Sequence, residues 1–249
     1  MRHTIAKAML VAVSLLATTA QTPSHLYAED NDSLSASTHY KVTPEELELA
    51  ARFEDRPLFM GIQQSSVMHY PGSRAHAESC SQRGCTNGCT IGFGYNIGAR
   101  SSKQVVTELK PILGRKKAKE LSAYAGKVGI EAYNACGPQF KKDKLPQLSR
   151  ADSWELLKFS MAPHKAQVMQ RIQREGLTKD LNEQQVAVLV ALDFQNPRLA
   201  SRATKLWKHL QQGKLERVAF EIRNNSGTRF LRALQTRRNT EADLWMASL

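Results

Sequence analysis

The stretch Cys89-Thr-Ile-Gly-Phe-Gly-Tyr-Asn-Ile-Gly-Ala-Arg100 restricts the fold more than any other part of the chain. Gly92, Gly94 and Gly98 alternate with Ile91, Phe93, Tyr95 and Ile97. That alternation predicts a short, strongly bent hairpin, with glycine where the backbone needs positive φ or close approach by a neighbour. Two short strands are not stable alone in water, so the hairpin has to lie against other elements. Its polar residues, Thr90 and Asn96, should face whatever space remains.

The rest of the chain reads as the helices that support it. Thr43-Pro-Glu-Glu46 opens a helix: Thr43 as cap, Pro44 at the first helical position, Glu46 completing a capping box. This helix should run to about Asp55, before Pro57. Residues 58–70 form a mixed apolar segment, and residues 71–89, rich in Gly, Ser and Cys, read as a surface loop. Beyond the hairpin, Ser102 is expected to cap a helix reaching Leu109, with Pro111-Ile-Leu-Gly114 ending or kinking it. Further helices are expected over 116–124, 153–160 and 165–174, the last two separated near Pro163. Asn182 and Gln185 form another capping-box pair ahead of Val186-Ala-Val-Leu-Val-Ala-Leu192, a run apolar on every face. A helix apolar all round is buried, so this one should be the central helix. Helices over 202–212, 215–224 and around 237–246 complete an α+β domain, mostly helical with one small glycine-rich β-hairpin.

The N-terminus carries an address. Residues 1–7 are basic and contain no acid, the run from Ala8 to Ala17 is apolar, and small residues follow at Thr18 and Ala20, with a second candidate cleavage site after Ala28. This has the form of a secretory signal peptide, its apolar run too short to span a membrane. We therefore expect a signal peptide over 1–20 (alternatively 1–28), a flexible polar leader over 21–42 and one folded domain over 43–249. The mature protein is expected to be exported, periplasmic or secreted, with no membrane span. Without residues 1–20 the chain keeps 33 basic residues against 23 acidic ones. That surplus favours an anionic partner. Export argues against nucleic acid and for polymers of the bacterial envelope. The basic residues form no single dense block, so part of the charge belongs to a solvated surface.

Four cysteines in an exported chain point to disulfides. Cys80, Cys85, Cys89 and Cys136 allow three pairings. We expect one bridge within residues 80–89 and one tying that region to Cys136. Their spacing misses the zinc and iron–sulfur patterns, so no metal and no cofactor are expected.

Three segments together resemble the lysozyme superfamily, in the branch of phage-type and pesticin-like muramidases. Thr90-Ile-Gly-Phe-Gly-Tyr-Asn-Ile-Gly98 resembles the family's T-I-G-x-G-[FY]-D-[LIM]-G hairpin. The apolar helix from Asn182 to Gln195, followed by Leu206-Trp-Lys-His-Leu-Gln-Gln-Gly213, is similar to its buried helix region. Arg237-Arg-Asn-Thr-Glu-Ala-Asp-Leu-Trp245 is similar to its closing helix. The resemblance covers roughly residues 58–247 and implies a lysozyme-like fold and a groove that takes peptidoglycan or another cell-wall glycan.

The resemblance also implies a glutamate ending the first core helix, a threonine beginning the hairpin and an aspartate six residues after it. Glycoside hydrolysis ordinarily uses two carboxyl groups. Thr90 matches the threonine, and Asn96 stands at the aspartate. Aligning Val67-Met-His-Tyr-Pro-Gly72 places Gln63, or Gln64 in a register shifted by one, at the glutamate. Neither amide titrates, so neither is a general acid, and on this alignment catalysis is impaired. The expected candidates are thus Gln63, Thr90 and Asn96 at the family's catalytic positions, with Glu78 as a substitute acid weighed against a solvated loop glutamate. Glu54, on the first capped helix, ranks below Glu78. Candidate substrate contacts are Gln64, His69, Tyr70, Phe93 and Tyr95, the last two balanced between core and ligand. Trp207 and Trp245 read as core before sugar stacking, and Arg237 and Arg238 either support the groove through ion pairs or lie on a solvated face. Three functions fit these residues: a lysozyme-like glycan binder with impaired catalysis, an active cell-wall muramidase using another acid such as Glu78, or a non-enzymatic envelope protein that inhibits or regulates a related effector through a protein partner.

Overall fold

A computed structural model describes residues 40–54, 57–58, 62–63, 66–138, 144–196, 199–202, 204–224 and 232–249. The expected signal peptide and residues 21–39 of the expected leader lie outside them. In chain order the elements are α1 (Pro44–Glu54), β1 (Pro57–Leu58), β2 (Ile62–Gln63), α2 (Arg74–Arg83), β3 (Thr90–Ile91), β4 (Tyr95–Asn96), α3 (Ser102–Ser122), α4 (Gly129–Cys136), α5 (Arg150–Arg174), α6 (Glu183–Gln195), α7 (Lys205–Gln211), α8 (Leu215–Asn224) and α9 (Arg232–Ala247). The chain is mostly helical, with β1–β2 and β3–β4 as two small antiparallel pairs, an α+β arrangement. No helix among the described residues is long and apolar enough to cross a membrane.

The caps at Thr43 and Asn182 are where the sequence puts them. Glu46 N–H donates to Thr43 Oγ1 at 3.3 Å and Thr43 N–H to Glu46 Oε2 at 2.9 Å. The other oxygen of Glu46 pairs with the buried Lys165 of α5, so the same carboxylate closes α1 and ties it to a second helix. Asn182 and Gln185 form the reciprocal box of α6, and Ala187 through Leu192 are all buried. At α3 the cap is Ser101 rather than Ser102: Gln104 N–H donates to Ser101 Oγ, and Gln104 Oε1 accepts from Ser101 N–H. The bend in α3 falls at Gly114 (φ 78, ψ 159), the end of the Pro-Ile-Leu-Gly motif.

Two larger expectations are corrected, beyond the cap of α3. Residues 74–83, read as loop, form α2. Ser73 Oγ accepts from His76 N–H, and Gly84 closes the helix at φ 64. Only Ala77 and Cys80 of α2 are buried, so it carries no apolar stripe to announce it. A tertiary bond, Ile130 N–H to Ser81 Oγ at 2.9 Å, and the local Cys80–Cys85 disulfide across its C-terminal end hold it instead. The second correction is at Pro163, which does not separate two helices: α5 runs unbroken from Arg150 to Arg174. Proline removes one backbone hydrogen bond and crowds the preceding turn. Here it is exposed, so water can reach the freed carbonyl, while buried Leu156, Leu157 and Met161 before it and Ala166, Val168 and Ile172 after it hold both halves in place. The last helix also begins earlier than expected, at Arg232.

Two hydrophobic clusters divide the interior. One gathers α1, most of α5, α6 and α7 to α9, including Trp207 and Trp245 at 1% and 0% exposure. The other gathers the hairpin, α2, α3, α4 and Leu156 of α5. Helix α5 thus crosses both, through the adjacent residues Leu156 and Leu157. The hairpin straddles them as well: Phe93 belongs to the first cluster, and Ile91, Tyr95 and Ile97 to the second. Beside it, His69 and Thr90 exchange backbone hydrogen bonds at 2.9 and 2.8 Å, extending the hairpin by one bridge. The Cys89–Cys136 disulfide fastens the start of β3 to the end of α4. Gly98 is required by contact: a Cβ there would stand 2.1 Å from Lys127 O and 2.5 Å from Gly88 Cα.

Candidate active site

A cleft of about 240 Å³ opens beside the hairpin, lined by Glu54 on one side and by His69, Pro71, Asn87, Thr90, Gly92, Gly94 and Asn96. It is smaller than the roughly 300–1,000 Å³ of pockets that enclose drug-sized ligands. A second depression, between Leu199, Thr204, Leu206, Glu221 and Asn224, gathers no comparable set of polar groups around the hairpin motif.

Glu54 reaches the cleft because it is the last residue of α1. Its side chain is 28% exposed, and Arg237 Nη1 donates to its Oε1 at 2.6 Å. Arg237 is itself held on three sides. Its Nε donates to Glu241 Oε1 at 3.0 Å, its Nη2 donates to the Ala191 carbonyl of α6 at 3.2 Å, and its guanidinium lies 5.0 Å from the Phe53 ring centroid. Next to it, Arg238 reaches Gln195 Oε1 at 2.6 Å and Glu241 Oε2 at 3.0 Å. Burial pushes the Glu241 carboxyl up, against the pull of Arg238 and Arg237. Burial pushes Arg238 down to about 10, opposed by Glu241. A carboxylate with two guanidiniums, all buried, keeps α9 fixed against α6 and α1. Through Arg237 the same network aims Glu54. The second Glu54 oxygen, Oε2, would lie 3.7 Å from a Cβ placed on Gly94, with Phe194 Cζ 3.9 Å from the same point.

The rest of the lining comes from the hairpin and the segment before it. Thr90 and Asn96 are register partners at the open end of β3–β4. Thr90 is 7% exposed and donates its hydroxyl to Gly88 O at 3.2 Å. Both ends of the Asn96 amide are engaged: Nδ2 donates to Thr86 O at 2.8 Å and Oδ1 accepts from Ala99 N–H at 3.2 Å. Asn87 Nδ2 contacts His76 Nε2 at 2.9 Å, and His69 Nδ1 lies 3.0 Å from Val67 O. No group of three or more His, Cys, Asp or Glu residues that could hold a metal occurs among the described residues.

The other sequence candidates lie elsewhere. Glu78 is on α2, half exposed and paired with Arg74 at 3.0 Å, and it does not line the cleft. Gln63 stands in β2 opposite Pro57; its side chain and Gln64 lie outside the described residues. Tyr70 is buried, its ring edge-on to Tyr133. Phe93 and Tyr95, balanced between core and ligand from sequence, are core residues at 1% and 2% exposure. The Tyr95 hydroxyl donates to Glu108 at 2.7 Å and Arg100 stacks over its ring at 4.1 Å; burial, the largest influence, pushes the phenol pKa well up. Glu54, ranked below Glu78 from sequence, lines the cleft where Glu78 does not, and Asn87 and Pro71, not singled out from sequence, line it too. The signal for Glu54 was its place in the last turn of a well-capped helix. Arg237 and Arg238 are not on a solvated face.

No protein-family model matches the chain, and no curated protein matches it. The functional reading therefore rests on the residues and geometry of the cleft.

Proposed function

We propose that this chain is an exported, muramidase-type glycoside hydrolase acting on cell-wall glycan, with Glu54 as its general acid. The observation that carries this reading is the placement of Glu54, Thr90 and Asn96 on one cleft, with Arg237 holding the carboxyl by a single oxygen. The resembling enzymes need a glutamate at the end of the first core helix. Glu54 ends α1, whereas Gln63 lies in the following β2, so Glu54 fits that position better. A carboxyl at the cleft wall meets the geometric need of a general acid, which must come within hydrogen-bond reach of the leaving oxygen. The lysozyme-like character of the fold belongs to the same proposal. Its support is the order of capped first helix, cysteine-rich segment, glycine hairpin and buried α6. The basic surplus of the mature chain suits an anionic wall polymer.

The test incubates the purified mature protein with peptidoglycan and measures released muropeptides. Wild type should release them, and Glu54→Gln should lower the rate by about 10²–10⁴-fold, the range typical of a lost general acid, while still pelleting with insoluble wall. Release unaffected by Glu54→Gln refutes Glu54 as the acid. Binding without any release points to a silent glycan binder, and neither binding nor release to an envelope inhibitor or regulator with a protein partner.

A further inference from the structure

We infer that this cleft works with one protein carboxyl, and that the substrate's own 2-acetamido oxygen supplies the group a second carboxylate would otherwise provide. The inference rests on the muramidase reading above. Glu54 is the one carboxylate among the described residues that line the cleft. The side chain at the position where a second acid would be expected, Asn96, is a structural clamp. Its NH2 end holds the Thr86 carbonyl and its oxygen holds the Ala99 amide, so it closes the loop ahead of the hairpin. An aspartate there would set a carboxylate oxygen against the Thr86 carbonyl, two acceptors with no hydrogen between them. The position is therefore built for an amide. The Thr90 hydroxyl gives its hydrogen to Gly88 O and keeps its oxygen as an acceptor. It is a polar group of the kind an acetamido N–H needs in order to be held in place.

Substrate assistance is an established alternative to the two-carboxyl scheme. The glycosidic oxygen takes the proton of the Glu54 carboxyl as the C1–O bond breaks, its electron pair leaving with that oxygen. The acetamido carbonyl oxygen bonds to C1 from the opposite face, giving a cyclic oxazolinium ion. An acceptor hydroxyl, from water or from C6 of the same sugar, then bonds to C1 as the oxazolinium opens. Its proton goes to the Glu54 carboxylate, which restores the acid. Two inversions at C1 leave the β configuration.

The experiment uses the full mature chain on peptidoglycan and reads the products by mass and by the anomer first formed. A β product or a 1,6-anhydro product is expected. Wall glycan stripped of its N-acetyl groups should be cut at least 100-fold more slowly, and a thiazoline analogue of the N-acetyl sugar should inhibit competitively. Asn96→Asp should lower the melting temperature without raising turnover. An α product formed first overturns the inference and leaves the muramidase reading standing. So does full activity on N-deacetylated glycan, or higher turnover in Asn96→Asp. A loss in Asp55→Asn equal to that in Glu54→Gln, with a melting temperature equal to wild type, would assign a second protein carboxyl and overturn it too. Absence of any release by wild type removes both readings together.

Discussion

At the scale of single residues, Arg237 is the side chain whose loss should be felt furthest. It serves Glu54, Glu241 and the Ala191 carbonyl from one planar fork. Lysine offers a point charge on a flexible stem and cannot satisfy all three in that geometry. Removing one partner of a buried ion pair typically costs about 3–5 kcal/mol, so Arg237→Ala should fold poorly. Arg237→Lys is the informative variant. On the muramidase reading it should melt lower than wild type and lose glycan release mainly in kcat, with KM little changed, because it loosens the aim of Glu54 and leaves the other cleft-lining residues in place. A variant with normal kcat and raised KM would place Arg237 in substrate binding instead. Thr90 and Asn96 were readable from sequence because a hairpin motif fixes their spacing. Glu54 was not, since β1, β2 and α2 intervene before the hairpin and alignment through residues 67–72 led to Gln63.

At the scale of elements, end chemistry explains most of what folds where. Ser149 and Asp152 form a capping box at the start of α5, and Lys117 of α3 donates to Asp152 Oδ2 at 3.1 Å. Burial works to raise the Asp152 carboxyl, but the hydrogen bonds from Lys117 and Ser149 outweigh it and hold the pKa below the usual carboxylate value. A carboxyl with a lowered folded pKa binds fewer protons folded than unfolded. Its stabilisation is therefore present above its unfolded value and lost as pH falls through the folded one. In urea melts, Asp152→Ala should cost about 0.5–1.5 kcal/mol at neutral pH, the usual net worth of a hydrogen bond, with the Ser149 cap itself left in place. The gap from wild type should close as pH drops below about 4. A gap that persists unchanged in acid would mean that the cap works without its charge. The elements missed were those with no local mark. Helix α2 buries two residues and depends on its neighbours, and α5 passes Pro163 because tertiary packing holds both halves.

At the scale of the whole molecule, the two disulfides differ in reach. Cys89–Cys136 spans 47 residues and ties the hairpin to α4, while Cys80–Cys85 spans five. In the chain-entropy account, closing the longer loop stabilises by about 4 kcal/mol and the shorter by about 2. The paired variant Cys89→Ala with Cys136→Ala should therefore unfold at lower urea than Cys80→Ala with Cys85→Ala, and should lose more glycan release because Thr90 follows Cys89 directly. The reverse order of midpoints would show that α2, not the hairpin, limits stability. The longer bridge is buried at both ends, at 0% and 1% exposure, and should also resist mild reductant the longer.

The sequence by itself determined the local structure: the hairpin with its glycines, the caps at Thr43 and Asn182, the buried run of α6 and the bend at Gly114. Each follows from backbone geometry, or from a hydrogen bond made within a few residues, and such interactions are written in short spacings. The tertiary structure alone decided that Glu54 meets Thr90 and Asn96 in one cleft, that Arg237 aims it, and that Glu78, Phe93 and Tyr95 lie outside. These depend on how α1, α6 and α9 pack against one another and on which side of the hairpin faces which core. Packing of that kind sums many weak contacts between distant residues, and no spacing along the chain encodes it.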